Sequence, residues 1–310
     1  MIRPFELPDL RTLHRYRKQG VYLDSLAVLT RGRQIVPMRA VFSPLSEAMG
    51  VFTGVHDGNG RQPLIGQASH ALGANAAHLT FLTPDEEIDP VAGAALIEYL
   101  IKRLGEREAQ TLLAEVDEDT VTFETLRQLN FSIYARQHIW RIREVPKRET
   151  PQVAWRAYNS IDGINARKLH FATVPSLVQQ IESTKFQDLR GWVHYEEDEM
   201  LAYAEVTDGP RGIWVQPFIH PEMENVGRHL TSLISILRPR ARRPVYLCLR
   251  SYQAGLAHFL GGLEAEVSAS QAVMARRLTA MITKPEMAPL PQINGSTEAS
   301  TPYNQIDGNQ

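Results

Sequence analysis

The chain has 310 residues, of which 43% are hydrophobic and 22% charged, and a formal net charge of −2. That length suits two domains of ordinary size better than one, and the near-balanced charge gives no global field to draw the protein onto nucleic acid or a membrane surface. A single cysteine, Cys248 in the apolar run PVYLCLR, excludes a disulfide framework and a cysteine metal cluster.

No apolar stretch approaches the ~20 residues of a membrane span, and no charged start followed by an apolar run marks an export signal. A cytoplasmic protein with neither a membrane nor a nucleic-acid partner is expected. The opening residues, MIRPFELPDLRTLHRYRKQG, read as a short strand and then a helix, with Asp9 near the helix start and Leu10, Leu13 and Tyr16 at helical spacing. YLDSLAVLTRG is a second helical stretch that ends at Gly32, a natural C-cap. Residues 33 to 50 show no clear period.

Three strands follow, GVFTGVHD, PLIGQASHAL and AAHLTFLTP, separated by DGNG and GAN. Those turn residues suit an antiparallel meander. A helix is expected from about Val91 to Glu106. Asp89 is its N-cap, Pro90 its first residue, and Ala95, Leu96, Tyr99, Leu100 and Leu104 its apolar stripe. A strand QTLLAEVDE, a short helix TVTFETLRQLN and the strand run FSIYARQHIWRI complete this half.

The polar, proline-punctuated segment REVPKRETPQ reads as a linker. Beyond it the order partly repeats. VAWRAY is a strand, SIDGINARKLHFATVPSLVQQIES is helical, and three strands run through GWVHYEEDEMLAYAEVTDGPRGIWVQPFI. Helix VGRHLTSLISIL, strand PVYLCLR, helix YQAGLAHFLGGL and one or two closing strands in AEVSASQAVMARRL follow. The recurrence points to a duplicated domain. The expected organisation is α+β: residues 1–145 as one domain, 146–152 as linker, 153–283 as a second domain, and 284–310, rich in Pro, Ser, Thr, Asn and Gln, as a disordered tail.

Few familiar chemistries find support. HExxH and CxxC patterns, a GxSxG elbow and a Walker loop are all missing, so no metal site is expected. Trp140, Trp155, Trp192 and Trp214 fall in strand patterns and read as core or rim aromatics, and the basic cluster RPRARRP reads as a solvated loop.

The element order and the residues at its joints resemble the GNAT superfamily of acyl-CoA-dependent N-acyltransferases. IRPFELPDLRTLHRY looks like the family's first strand and helix, HLTFLTP like the end of its fourth strand, and EVDEDTVTFETLRQLNFSIYARQHIWRI like its fifth strand, fourth helix and last strands. FIHPEMENVGRHL and VYLCLRSYQAGLAHFLGGLEAEV stand in the same places of the second half. The resemblance implies two tandem GNAT-like domains, each a twisted mixed sheet flanked by helices. It also implies acetyl-CoA, or another acyl-CoA, as co-substrate in a wedge between the fourth and fifth strands.

In that family the pyrophosphate rests on backbone amides before the third helix, in a pattern of Gln or Arg, two residues, Gly, one residue, and Gly or Ala. Ile88, Val91 and Gly93 hold those places in the first half, and Glu222, Asn225 and Gly227 in the second. Each copy keeps only the last glycine. The resemblance therefore implies cofactor contacts at Leu82, Thr83, Ala92, Gly93 and Ala94, and at Val226, Gly227 and Arg228. Glu222 and Glu224 would repel a pyrophosphate unless their side chains turn away, which makes the first half the expected cofactor binder.

Acyl transfer to an amine needs a base, an acid for the leaving thiolate and donors to the oxyanion. Family members place a carboxylate on the central strands and a tyrosine on the fourth helix. The carboxylates at hand are Glu115 and Glu205. The tyrosine place falls on Leu126 in the first half and near His258 in the second, and His220 ends a strand where the cleft is expected. The function expected is acyl-CoA-dependent N-acyl transfer to a small-molecule amine. The alternative, given the eroded loops, is a non-catalytic module that keeps the fold for ligand binding or interaction. The sequence leaves the oligomeric state open.

Overall fold

The computed structural model describes residues 1–16, 18–33, 47–58, 62–144, 154–182, 184, 186–240, 242–261 and 263–278. The expected linker 146–152 and tail 284–310 lie outside the described residues, as does 34–46.

In the first half, β1 (Ile2–Pro4) and α1 (Leu10–Tyr16) are followed by a two-residue strand, β2 (Val21–Tyr22), and by α2 (Ser25–Arg31). The helix expected from Tyr22 starts later because Asp24 caps it: its carboxylate accepts the Ala27 N–H at 2.9 Å. β3 (Val51–His56), β4 (Leu64–His70) and β5 (Ala76–Thr83) form the meander. α3 (Pro90–Gly105), β6 (Thr111–Asp117), α4 (Val121–Gln128) and β7 (Ser132–Ile142) complete the half. Leu96, Ile97, Leu100 and Leu104 of α3 are fully buried against the sheet, the stripe that a 3.6-residue period requires.

The second half runs β8 (Trp155–Ala157), α5 (Gly163–Thr173), α6 (Ser176–Ile181), β9 (Gly191–Glu196), β10 (Glu199–Asp208) and β11 (Ile213–Ile219). It continues with α7 (Val226–Leu237), β12 (Val245–Arg250), a 3-10 helix (Ser251–Leu260), β13 (Ala265–Val267) and β14 (Gln271–Arg277). The last helical pattern of the sequence is thus a 3-10 helix in the structure.

All fourteen strands of the described residues join one mixed sheet, with the main path β1-β3-β4-β5-β6-β14-β7-β12-β11-β10-β9-β8. Its centre holds an exchange. The last strand of the second half, β14, pairs with β6 of the first, while β7 of the first half pairs with β12 of the second through Gln137–Ile142. β14 and β7 also pair with each other, which makes the sheet continuous. Each half therefore lends its final strand to the other.

The two halves are further joined by α2, whose Leu26 and Leu29 pack on Ile139, Trp214, Tyr246 and Cys248. Arg211 N–H donates to Thr30 O at 2.9 Å across the same junction. Burial pushes the Cys248 thiol up to about 12, consistent with an inert core residue. No helix among the described residues is long and apolar enough to cross a membrane.

Candidate active site

Two parallel strand pairs in the sheet begin together and then part. β5 and β6 pair only at Ala76–Thr111, Ala77–Leu112 and His78–Leu113. β11 and β12 pair only at Ile213–Val245, Trp214–Tyr246 and Val215–Leu247. Past those residues each pair opens into a wedge, and a helix, α3 or α7, starts at its far end. The backbone groups facing a wedge have lost their ladder partner and must find another.

The first wedge is filled by the chain itself. β2 pairs with the end of β5, Val21 with Leu82 and Tyr22 with Phe81. Leu23 then spans the gap: its N–H donates to Thr80 O at 2.9 Å, and its carbonyl accepts the Glu115 N–H at 2.9 Å. Leu23 is buried. Gly20 makes the approach possible, since a Cβ there would stand 3.0 Å from both Leu82 O and Thr83 Cβ. The backbone at Leu82 is therefore engaged by Val21, and the Thr83 hydroxyl donates to Tyr16 O at 2.9 Å.

The Glu115 carboxylate accepts the Ser25 N–H at 2.8 Å, at the start of α2, and so holds this plug in place. Ser25 Oγ in turn donates to Gln271 of β14 at 3.1 Å. The helix start beside the wedge is equally occupied. Asp89 Oδ1 accepts the N–H groups of Val91 and Ala92 at 2.8 and 2.7 Å, and Asp89 O accepts that of Gly93 at 2.9 Å. At Ala92, Gly93 and Ala94 a carboxylate of the protein already stands where an anion's oxygens would lie.

The second wedge is built differently. α7 starts at Asn225, which has φ 51° and whose side chain makes no cap bond. Asn225 O accepts the Arg228 N–H at 2.8 Å, so the N–H groups left without a partner among the described residues are those of Val226 and Gly227. The Glu222 side chain is 88% exposed, with its Oε2 4.0 Å from His220 Nδ1, and Glu224 is exposed as well. His220 shapes the approach to this turn. Its N–H donates to Leu201 O at 2.8 Å, and its Nδ1 accepts the Glu222 N–H at 3.3 Å. His258 lies exposed on the 3-10 helix, in edge contact with Phe259.

Side chains bridge this wedge. Gln253 Oε1 accepts the Arg250 N–H at 3.2 Å, and Gln253 Nε2 donates to the carbonyl of Pro217, a proline inside β11. A proline costs little there because β12 has already departed and asks for no N–H. Tyr252 reaches the Gln216 side chain.

A polar cluster gathers on the α5–α6 face of this wedge. Tyr203 and Glu205 of β10 point to that face, alternating with the core residues Ala202, Ala204 and Val206. Tyr203 stacks on Phe218 at 4.5 Å, and its hydroxyl meets His170 Nδ1 at 2.7 Å. Glu182, after α6, accepts the Tyr134 hydroxyl and Arg250 Nη2, the latter at 2.8 Å. Arg250 is buried, and its Nε and Nη1 have no partner among the described residues.

Glu205 pairs in register with Gln216, the first residue of β11 beyond the last parallel pair. Its carboxylate makes no hydrogen bond among the described residues. Burial pushes its carboxyl up to about 7, and the negative charge of Glu182 adds to the effect. Such a group exchanges a proton near neutral pH, as general acid–base work requires.

The structure thus brings Glu205 and the start of α7 to one wedge. It places Glu115 at the other, in a structural hydrogen bond, and leaves His258 at the surface. Sequence reasoning missed Glu182, Arg250 and Tyr134, which come from three separate places in the chain, and took Tyr252 for a packing residue with a wet hydroxyl. The proline inside IWVQPFI was the available signal for where β11 loses a neighbour. A separate cleft of about 550 Å³ lies at the paired ends of β11 and β12, lined by Arg33, Arg141, Arg211, Arg242 and Tyr246, away from Glu205.

No family model and no curated protein matches the sequence. Solved structures do match. The GCN5-related N-acetyltransferase from Sphaerobacter thermophilus aligns with a TM-score of 0.50 at 10% identity, over 90% of this chain and 95% of that one. A tandem GNAT protein from the clavulanic acid biosynthesis pathway aligns with a TM-score of 0.52 at 14% identity, over 90% of this chain and 98% of its own. The chain has the GNAT fold. In GNAT terms β5 and β11 are the fourth strands, β6 and β12 the fifth, and α3 and α7 the third helices. At these identities the likeness is one of fold, and the side chains of the site must carry the functional argument.

Proposed function

We propose that the chain is an acyl-CoA-dependent N-acyltransferase acting on a small-molecule amine in the cytoplasm, with acetyl-CoA or another acyl-CoA as co-substrate and the reaction in the second wedge. The observation that carries this reading is Glu205. It is a half-buried, unpartnered carboxylate, raised to about 7, at the level where β11 and β12 part. The start of α7, which has no side-chain cap, suits the pyrophosphate, since the backbone N–H groups of Val226 and Gly227 attract an anion without needing a particular side chain.

In this mechanism the amine enters from the α5–α6 face as an ammonium ion. Glu205 takes its proton, and the free amine attacks the thioester carbonyl. The new C–N bond forms, the C–S bond breaks, and the thiolate leaves as free CoA after receiving a proton. Tyr252, whose hydroxyl reaches the Gln216 side chain beside Glu205, is the donor in this reading; burial keeps it protonated at neutral pH. Ligand binding would displace the Gln253 bridge from Pro217 O. The filled first wedge supports a second role for the first half, as a non-catalytic scaffold that supplies β7 and α2 to the site.

A thermal-shift titration with acetyl-CoA tests this reading. A ligand at a hundred times its dissociation constant stabilises by ~2.7 kcal/mol. Gly227 has room for a Cβ, with Phe259 atoms 3.6 Å away, so Gly227→Glu introduces charge more than crowding and should abolish the shift. Absence of any shift at millimolar acetyl-CoA, propionyl-CoA and CoA would favour a non-catalytic module throughout.

A further inference from the structure

Three side chains that acyl transfer does not use converge at the outer edge of the second half. His194 and Glu196 lie two apart on β9 and so share a face. His229, in the first turns of α7, meets them from the helix side. His194 Nε2 is 3.1 Å from Glu196 Oε1, and His229 Nε2 is 4.0 Å from the same oxygen. The two rings meet edge to face with centroids 4.4 Å apart. One ligand atom from each residue lies within 4.8 Å of the other two.

His194 has a partner at each ring nitrogen, while the His229 ring has none within hydrogen-bond reach among the described residues. His194 Nδ1 stands 3.1 Å from Ala154 O. A carbonyl can only accept, so Nδ1 carries the proton and the neutral ring presents a lone pair at Nε2. That lone pair faces a carboxylate oxygen at 3.1 Å, an approach that either a proton or a bound cation would relieve. A second proton on His194 would settle that pair but leave His229 unexplained. His229 is buried, and its Nδ1 has no partner among the described residues. Its Nε2 stands 4.0 Å from Glu196 Oε1, beyond hydrogen-bond reach, and with the proton on Nδ1 this nitrogen offers a lone pair to the cluster.

We infer that His194, Glu196 and His229 form a zinc site. The donor set of two imidazoles and a carboxylate suits zinc better than magnesium or calcium, which take oxygen ligands. Zinc bonds nitrogen and oxygen at ~2.0–2.2 Å, so a 4.0 Å separation spans two such bonds, and a small inward movement of His229 gives a tetrahedral angle. The Ala154 carbonyl on His194 Nδ1 is the outer partner that orients a metal-binding histidine. Glu196 is 49% exposed, so water has access to the remaining coordination position.

The ion would tie β9 to the first turns of α7. Trp155 already braces the same point: its Nε1 donates to His229 O at 3.0 Å, and its ring lies against His194. A clamp here fixes the helix that starts at Val226 and holds whether or not that helix binds a cofactor.

The test uses the full chain, free of any histidine tag, stripped with EDTA and titrated with CoCl₂ and then ZnCl₂. The expected result is one cobalt per chain with the intense visible bands of tetrahedral Co(II), displaced by zinc, and a rise in melting temperature with either metal. His194→Asn and His229→Asn should each weaken binding at least about tenfold, the scale set by loss of even an outer partner. Glu196→Gln changes a half-exposed side chain and decides the matter if the histidine variants do not fold. No saturable uptake at micromolar metal, or affinity unchanged in Glu196→Gln, overturns the site.

Discussion

The two wedges start from the same geometry and end as different objects. Each opens after three parallel residue pairs, and each has a helix start at its far end. The first is closed by backbone: Val21 and Tyr22 zip onto β5, Leu23 joins Thr80 to Glu115, and Asp89 caps α3. The second is closed by side chains alone, with Gln253 on Pro217 O and Tyr252 beside Gln216, while α7 starts without a side-chain cap. The difference teaches how one fold can keep or lose a binding site. Splayed strands leave backbone groups that must be satisfied. When the chain supplies a strand, the solution is permanent. When it supplies a glutamine, a ligand can take that place by rotating one side chain.

The sharpest way to break this contrast is Glu205→Gln. As the proton acceptor of the second wedge, Glu205 should be worth about 10²–10⁴-fold in kcat, read by release of free CoA with a panel of amines. The acetyl-CoA thermal shift should survive. Wild-type activity should rise with pH through about 7, where the carboxyl loses its proton, and the variant should lack that rise. An unchanged kcat would remove Glu205 from the mechanism.

Next in size is Leu23→Ala, which empties part of the first wedge. A buried leucine cut to alanine costs about 2–5 kcal/mol, measurable by urea denaturation. Acetyl-CoA affinity should stay constant. A parallel loss of affinity would mean that the first wedge binds the cofactor after all.

A third effect separates the wedges by pH. The carboxyl of Glu205 is raised from its ordinary 4.5 to about 7 in the folded protein. Between those values the folded state holds a proton that the unfolded chain has released, so this group lowers stability as pH rises through that window. Glu205→Gln should therefore gain stability relative to wild type on moving from pH 4 to pH 8, by about 3 kcal/mol, in paired denaturation curves. A constant difference would mean that the carboxyl is not desolvated.

The smallest effect expected is at the first helix start. Asp89→Ala removes the acceptor of two N–H groups and should cost ~0.5–2 kcal/mol, with no change in acetyl-CoA binding. Loss of binding in this variant would return the cofactor to α3.

Local pattern carried the sequence a long way. The burial stripe of α3, the meander of β3 to β5 and the cap at Asp89 each arise from residues a few positions apart, and each was legible. So was the repeat of element order that points to the GNAT fold. Glu115 and Glu205 were equal candidates in the sequence, since both are carboxylates on strands with ambiguous facing. Only packing distinguished them: Ser25 occupies one, while burial and Glu182 surround the other. β2 has two residues, too few to show any period, and its partner on β5 is far along the chain.

The sequence by itself determined most of the longer helices and strands and the cap at Asp89, because periodicity, capping and turn chemistry act between near neighbours. The tertiary structure alone decided that the two halves exchange their last strands, that one wedge is plugged and the other only bridged, and that His229 meets His194 and Glu196. Those outcomes depend on pairing and burial between distant residues, where many partners are chemically equivalent and only the assembled sheet chooses among them.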